Sequence, residues 1–393
     1  MENTASSDGW KLLRYAAIDP LAERWDRLVP RDVPHLRAGF LRAVERGRML
    51  GNLNYLWIER DDRPAACAVV FTLPQDTLAA APERVRRVAA VVRRVLPRFL
   101  FKPLRICGSP ISNAESGIYI APELSADERK QVLYRIVDEV LDSGGRKPTY
   151  FFKEFDRQAV ESYAGELERF GFFPNDPWDG TRLDLPWKTF DDYLAAFRKK
   201  YRKRIRQELK LAEQIEFTLE TPSAALAATA FRLYANVLTR ATFALEKGTE
   251  EFFAALSDFD QAKLLFARRR ESGEVLGVNL LLFGDTCMHN LYIGFDYERN
   301  DEFHIYFNLV IESLRRAIDA GCSVCYLGQD SYEFKARLGA KPYPLAAYMM
   351  HRVGWIHRML EKRRHDLFPP NKAASHDVFQ TSPSGGDVAE GKA

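Results

Sequence analysis

Cys287-Met288-His289-Asn290-Leu291-Tyr292-Ile293-Gly294-Phe295, a helical pattern from Phe303 to Ala320, a stop at Gly321 and the run Val324-Cys325-Tyr326-Leu327-Gly328 together decide the fold class. Two short apolar runs bounded by turn residues, with an amphipathic helix between them, read as strand, helix, strand. Working upstream, Lys263–Arg269 and Gly277–Phe283 read as two more strands, Ala224–Leu238 and Glu250–Leu256 as helices, and Ile215–Glu220 as a cleanly alternating strand. A long helix is predicted from Phe190 to about Gln214. Downstream, Ser331–Leu338 reads as a short helix ended by Gly339, and Ala346–His351 as a closing strand.

The first half alternates in the same way. A helix is predicted over Asp32–Arg48, with Asp32 as N-cap and Pro34 in the first turn. Strands follow at Leu56–Arg60 and Ala65–Leu73, joined by the turn Asp61-Asp62-Arg63-Pro64. Then come a helix from Arg84 to about Leu96, a strand at Leu104–Cys107 and a helix over Ser125–Ser143. Ser125 and Glu128 have capping-box spacing there. Tyr150–Phe155 reads as a buried strand, Asp156 as the cap of another helix, and Thr181–Leu185 as a strand.

The halves close alike: compare Leu167-Glu168-Arg169-Phe170-Gly171-Phe172 with Phe334-Lys335-Ala336-Arg337-Leu338-Gly339-Ala340. This points to duplication, giving two α/β halves with mixed sheets flanked by helices and a cleft at or between them. The expected units are residues 10–186 and 187–365. Residues 366–393, rich in Pro, Ser, Gly and Asp, are expected to form a disordered tail.

Composition narrows the function. The chain has 393 residues, 46% apolar and 28% charged, with a net charge of +3. These values exclude collagen-like, wholly disordered and disulfide-scaffold proteins. No apolar run is long enough for a membrane-spanning helix. The first residues carry neither the basic nor the apolar region of a signal peptide. Five cysteines suggest a reducing compartment, so a cytoplasmic protein is expected. Cys322 and Cys325 form a lone CxxC, which reads as two buried thiols. The seven histidines form no ligand set, so no metal is expected. Phosphate-loop, dinucleotide and nucleophile-elbow motifs are missing, which weighs against ATPase, dehydrogenase and hydrolase readings.

Two segments together resemble the Fem-like, or BioF2-like, branch of the GNAT superfamily. One is the basic run Phe197-Arg198-Lys199-Lys200-Tyr201-Arg202-Lys203-Arg204-Ile205-Arg206. The other extends from Asn290-Leu291-Tyr292-Ile293-Gly294 through the helix ending at Gly321 to Tyr332-Glu333-Phe334-Lys335 and Leu338-Gly339. The resemblance covers residues 187–355, and the first half by architecture only. It implies tandem GNAT-like domains, the second a Fem-like acyltransferase domain. It implies an N-acyltransferase or aminoacyltransferase that moves an acyl or aminoacyl group to a small-molecule or peptide-like amine, with acyl-CoA or aminoacyl-tRNA as donor. Ordinary GNAT enzymes hold coenzyme A pyrophosphate on a glycine-rich loop and a helix N-terminus. The corresponding stretch here, Glu298-Arg299-Asn300-Asp301-Glu302-Phe303, has no glycine and three acids, which competes with a phosphate.

The resemblance gives Lys335, after Phe334, the task of stabilising charge on the attacked carbonyl oxygen, a task suited to a compact point charge. The bland alternative is a surface lysine. Asn290, Tyr292 or Asp330 would orient the amine. Strand alternation puts Asn290 and Tyr292 on one face and His289 on the other, and His289 reads as a structural histidine. Lys200, Arg202 and Arg206, with Tyr332 and Phe334, are candidate donor-binding residues. The basic helix buries a stripe of Phe190, Leu194, Phe197, Tyr201, Ile205 and Leu209. Its dense single-sign charge is either a solvated face or a site for a polyanion such as tRNA. The rival function is a non-catalytic GNAT scaffold that binds a polyanion, nucleic acid or an anionic membrane surface, through such basic helices. Arg84–Leu96 is also basic, and suggests contact with an anionic membrane face or an acidic partner.

Overall fold

The computed structural model describes residues 3–5, 9–76, 83–94, 101–111, 116–142, 148–156, 164–176, 178–240, 247–367, 371 and 374–380. In chain order the first half supplies β1 (Asn3–Ala5), β2 (Trp10–Tyr15), α1 (Ala22–Leu28), α2 (Ala38–Arg46), β3 (Asn54–Arg60), β4 (Arg63–Asp76), α3 (Glu83–Arg93), β5 (Phe101–Cys107), β6 (Ile118–Ile120), α4 (Ala126–Leu141), β7 (Thr149–Asp156), β8 (Phe173–Asn175) and β9 (Gly180–Asp184). The second half supplies α5 (Phe190–Ala196), α6 (Lys199–Leu211), β10 (Ile215–Glu220), α7 (Ala224–Leu238), α8 (Glu250–Ala255), β11 (Ala262–Arg269), β12 (Val275–Phe283) and β13 (Cys287–Phe295). It continues with α9 (Tyr297–Phe303), α10 (Ile305–Asp319), β14 (Val324–Gly328), α11 (Tyr332–Arg337), β15 (Lys341–Tyr343), β16 (Leu345–His351), α12 (Gly354–Lys362) and α13 (Arg364–Leu367). The Ser125–Glu128 capping box is present at α4. The helix expected after Asp156 begins outside the described residues.

Two mixed sheets result. One runs β1-β2-β3-β4-β5-β7-β16-β8, with β6 also on β4; the other runs β10-β11-β12-β13-β14-β9-β15. From β2 and from β10 the two follow the same plan. Three antiparallel pairings lead to one parallel pairing, β5 with β7 and β13 with β14, and two antiparallel pairings follow. This is the pattern a duplication leaves.

The sheets do not divide at residue 186. β9 lies in the second sheet and β16 in the first, so each half lends the other a strand. Hydrophobic runs show that these segments are strands but not which open sheet edge they complete.

The core has three layers. Trp25, Tyr55 and Trp57 pack with Leu233, Phe253 and Leu264 between the sheets, joining the halves. α10 covers the outer face of the second sheet, and α4 covers that of the first. Among the described residues no helix is long and apolar enough to cross a membrane.

Three sequence expectations change. The Phe190–Gln214 helix is broken into α5 and α6, with Phe197 extended between them. Phe197 bridges Phe379, and the Arg198 amide donates to the Val378 carbonyl at 2.9 Å. Residues 374–380 therefore dock on the fold, although the segment from 366 was expected to be without structure. Val378 is 1% exposed, and the Phe379 ring meets Phe197 at 4.7 Å and Trp187 at 4.9 Å. Two apolar residues in a polar stretch suffice once a preformed groove receives them. The Phe303–Ala320 helix starts as a separate turn, α9, because His304 is left-handed at φ 46°.

Candidate active site

β13 and β14 pair at only three positions, Cys287–His289 with Val324–Tyr326. Beyond them the parallel strands diverge, and β14 ends in the loop 328–331. Gly328, Asp330 and Ser331 have φ of 73°, 69° and 51°. Left-handed Asp and Ser cost energy and persist only where the surroundings hold them. Here the supports are visible. Thr181 Oγ1 donates to the Gly328 carbonyl at 2.7 Å, and Gln329 Nε2 to the Trp178 carbonyl at 2.8 Å. The Tyr332 hydroxyl donates to the Asp179 carbonyl at 2.6 Å. The exchanged strand β9 and its approach thus hold the loop.

Lys335 projects from α11 back under this loop. It is 5% exposed, and its Nζ donates to the Gln329 carbonyl at 2.9 Å. Burial pushes the ammonium down to about 8, partly opposed by Asp330. Phe334 packs at a tilt on Phe307 with ring centroids 4.4 Å apart and meets Tyr306 at 5.7 Å. The Tyr306 phenol, held above its usual range by burial, meets the Ser331 side chain beside Asp330. A lysine titrating near neutrality, a strained loop and an aromatic wall therefore converge at the open end of β13 and β14.

α6 lies alongside. Asn308 Nδ2 donates to the Glu208 carbonyl at 3.0 Å, and His304 Nδ1 meets the Glu208 carboxylate at 2.5 Å. Asn300 Oδ1 accepts the Tyr306 amide at 3.1 Å, so the start of α10 is served by protein groups. The stretch without glycines is the helix α9 rather than a phosphate-cradling loop. Lys200, Lys203, Arg204 and Arg206 are exposed and Arg202 half-buried; among the described residues none of the five has a carboxylate partner. Arg202 donates to the Ala195 carbonyl at 3.1 Å.

The structure brings Asp330, Tyr332, Phe334 and Lys335 together and places Lys200, Arg202 and Arg206 on the neighbouring helix. It does not bring in Asn290 and Tyr292. A bulge at Leu291 breaks the alternation: Tyr292 pairs with Leu280, Asn290 with Leu281 and His289 with Leu282. A bulge turns every later side chain over. Asn290 faces α10, its Nδ2 donating to Ser313 Oγ at 3.1 Å. Tyr292 packs on Tyr234 at 4.7 Å on the opposite face, which His289 shares. His289 stacks on Tyr326 at 4.5 Å, and burial holds it well below the usual histidine range, so it is neutral. Sequence reading missed Trp178, Asp179 and Thr181, whose loop contacts reach back about 150 residues in the chain. It also missed Tyr306 and Phe307, which read simply as helix.

Elsewhere, a cleft of about 340 Å3 lined by Asp26, Arg37, Arg42, Asp258 and Asp260 contains no residue of β13, β14 or α11. Arg37 and Arg42 already pair with Asp26 and Asp19, and Asp258 and Asp260 with Arg46 and Arg31. Among the described residues no group of His, Cys, Asp or Glu could hold a metal ion.

Residues 195–336 match the family model described as an acetyltransferase (GNAT) domain. Over those residues the chain is similar to GNAT acetyltransferase domains. The crystal structure of FemX is 11% identical and superposes with a TM-score of 0.57, covering 89% of this chain and 100% of that one. The C-terminal domain of a putative lysylphosphatidylglycerol synthetase from Agrobacterium fabrum is 12% identical with a TM-score of 0.51, covering 86% and 96%. At these identities the likeness is one of fold. No curated protein matches the chain. The GNAT domain match supports a transferase of acyl groups in general terms.

Proposed function

We propose that the chain is an N-acyltransferase that passes an acyl or aminoacyl group directly to an amine at the open end of β13 and β14. The observation that carries this reading is Lys335, a nearly buried cation held under a strained loop inside the residues that match a GNAT domain. The amine nitrogen attacks the donor carbonyl carbon. Negative charge gathers on the carbonyl oxygen, and the bond to the leaving thiol sulfur or ester oxygen then breaks. The proton lost by the amine ends on that leaving group. Lys335 lowers the barrier by stabilising the oxygen, and Asp330, at the loop surface, orients the amine. Phe334, Tyr306 and Phe307 form the wall against which the acyl chain lies.

The donor's phosphates lie on α6, held by Lys200, Arg202 and Arg206. The start of α10 is taken by Asn300 and Glu208, so the charge for a phosphate is on α6 instead. That arrangement favours aminoacyl-tRNA over acyl-CoA, because a polyanion can use the whole helix. Purified chain incubated with an amine pool and either aminoacyl-tRNA or acetyl-CoA tests the reading. Consumption of one donor with a mass increase on an amine supports it; loss of neither donor across acceptors overturns it.

The unneutralised run on α6 also favours a second reading, a scaffold that binds nucleic acid without chemistry. Tight, salt-sensitive tRNA binding with no deacylation in the presence of amines would establish that one.

A further inference from the structure

The three most exposed large apolar side chains among the described residues are Val88 and Trp355, each 66% exposed, and Val91 at 61%. Met359 follows Trp355 by one helical turn and is 44% exposed. Isolated exposed apolar residues are ordinary, but these four lie on two helices that are both joined to one end of the first sheet. The register shows it. His351, the last residue of β16, pairs with Thr149, the first of β7; Thr149 pairs with Leu104 of β5, and Leu104 with Leu73 of β4. β4 runs on to Asp76 and β5 begins at Phe101, so both extend beyond that level, and α3 is their connection. α12 starts at Gly354, just past His351. Two strand spacings separate β5 from β16, about 10 Å. α3 and α12 are therefore both joined to this end of the sheet.

α12 has no buried residue. His357 faces the sheet, its ring 5.2 Å from Phe173. Trp355 and Met359 lie on one stripe of the helix, away from His357, with Arg358, Lys362 and Arg363 exposed around them. Arg84, Arg87 and Arg94 are exposed on α3 beside Val88 and Val91. The acids on α12 and just beyond it are Glu361 and Asp366.

We infer that this end of the first sheet is a docking surface for an anionic bilayer, with Trp355, Met359, Val88 and Val91 entering the headgroup layer and the surrounding cations meeting acidic lipids. Apolar residues ringed by Arg and Lys on an exposed amphipathic helix match that surface in both depth and charge. Tryptophan adds a ring suited to the polar–apolar boundary. This surface is separate from α6 and does not depend on the transferase reading.

The full chain is tested by co-sedimentation with vesicles of phosphatidylcholine alone and with 30% phosphatidylglycerol, at low and high salt. Binding is expected only to the anionic vesicles and should weaken as salt rises. Trp355→Ser with Met359→Ser should lower the vesicle partition coefficient at least tenfold while leaving circular dichroism and amine acylation unchanged, since both side chains are exposed. Arg202→Gln with Lys203→Gln and Arg206→Gln should leave vesicle binding at the parental level. Failure of the parent chain to bind anionic vesicles overturns the proposal. So does parental binding by the Trp355/Met359 variant, or loss of binding by the α6 variant alone. A concentration-dependent dimer of the parent that the Trp355/Met359 change dissolves would reassign the surface to self-association and overturn it equally.

Discussion

The two sheets share one plan strand for strand, but the surroundings of the lysine near each parallel pair differ among the described residues. In the first sheet, backbone crowds the end of the β5–β7 pairing. Gly117 lies so close to Gly108 that a Cβ there would be 1.8 Å from backbone, and the Gly117 carbonyl accepts the Val69 amide at 3.0 Å. Lys153, within β7 and one residue past its last pairing with β5, lies with its side chain against Gly108 and pairs with Glu154 at 3.6 Å. Lys153 is thus 5% exposed, beside a carboxylate and packed on backbone. Lys335, equally buried, instead donates to the Gln329 carbonyl in the loop that ends β14. On the proposed reading, duplicated architecture does not duplicate chemistry, because what surrounds the cation differs between the two sheets.

The sharpest way to break this contrast is to neutralise each lysine in turn. Lys335→Met should lower single-turnover acyl transfer by roughly a hundred- to a thousandfold, the usual loss of about 2.7–4 kcal/mol for one oxyanion donor. Lys153→Met should leave turnover within about threefold, a difference of under about 1 kcal/mol. Equal losses in both variants, or none in either, would erase the distinction between the two lysines.

Titration sharpens it further. Lys335 falls from its ordinary 10.5 to about 8 in the fold. In the proposed mechanism the cation is the active form, so turnover should be full well below pH 8 and fall as pH rises through about 8. Lys335→Arg should keep only part of the activity but lose this decline. The unfolded chain binds more protons at this group between about pH 8 and 10.5. Lys335 should therefore make the fold more stable, not less, as pH rises through that window. A turnover that climbs through pH 8 would make Lys335 a base instead.

The second half also differs in being closed by a distant strap. Truncation after Leu367 removes Val378 and Phe379 from their groove, and a buried apolar side chain contributes about 1.5–3 kcal/mol. The melting temperature should fall by several degrees, with Phe379→Ala falling less. An unchanged melting temperature would show that the strap is not part of the fold's stability.

The smallest effect is expected on α6. Arg202→Gln, Lys203→Gln and Arg206→Gln together should weaken tRNA binding by roughly tenfold at moderate salt and flatten its salt dependence, since few phosphate contacts are removed. Parental affinity and slope would leave the basic run a solvated face.

Sequence alone determined most of the longer strands and helices, and with them the duplicated α/β plan; short elements such as β6, β8 and β15 carried no readable period. β13 and α7 lie where periodicity put them, because burial of one face repeats every two or every 3.6 residues along the chain. It also determined that Phe334, Lys335 and the basic run deserved weight. Tertiary structure decided everything that depends on a second segment. The exchange of β9 and β16 came from which sheet edge was open, and the break at Phe197 from a strand reaching it from residue 379. The bulge at Leu291, set by pairing with β12, put Asn290 on α10 and Tyr292 against α7. The burial that lowers Lys335 comes from a loop held by residues 178–181. Local pattern specifies which face a residue wants to bury; only the assembled partners specify what it meets there.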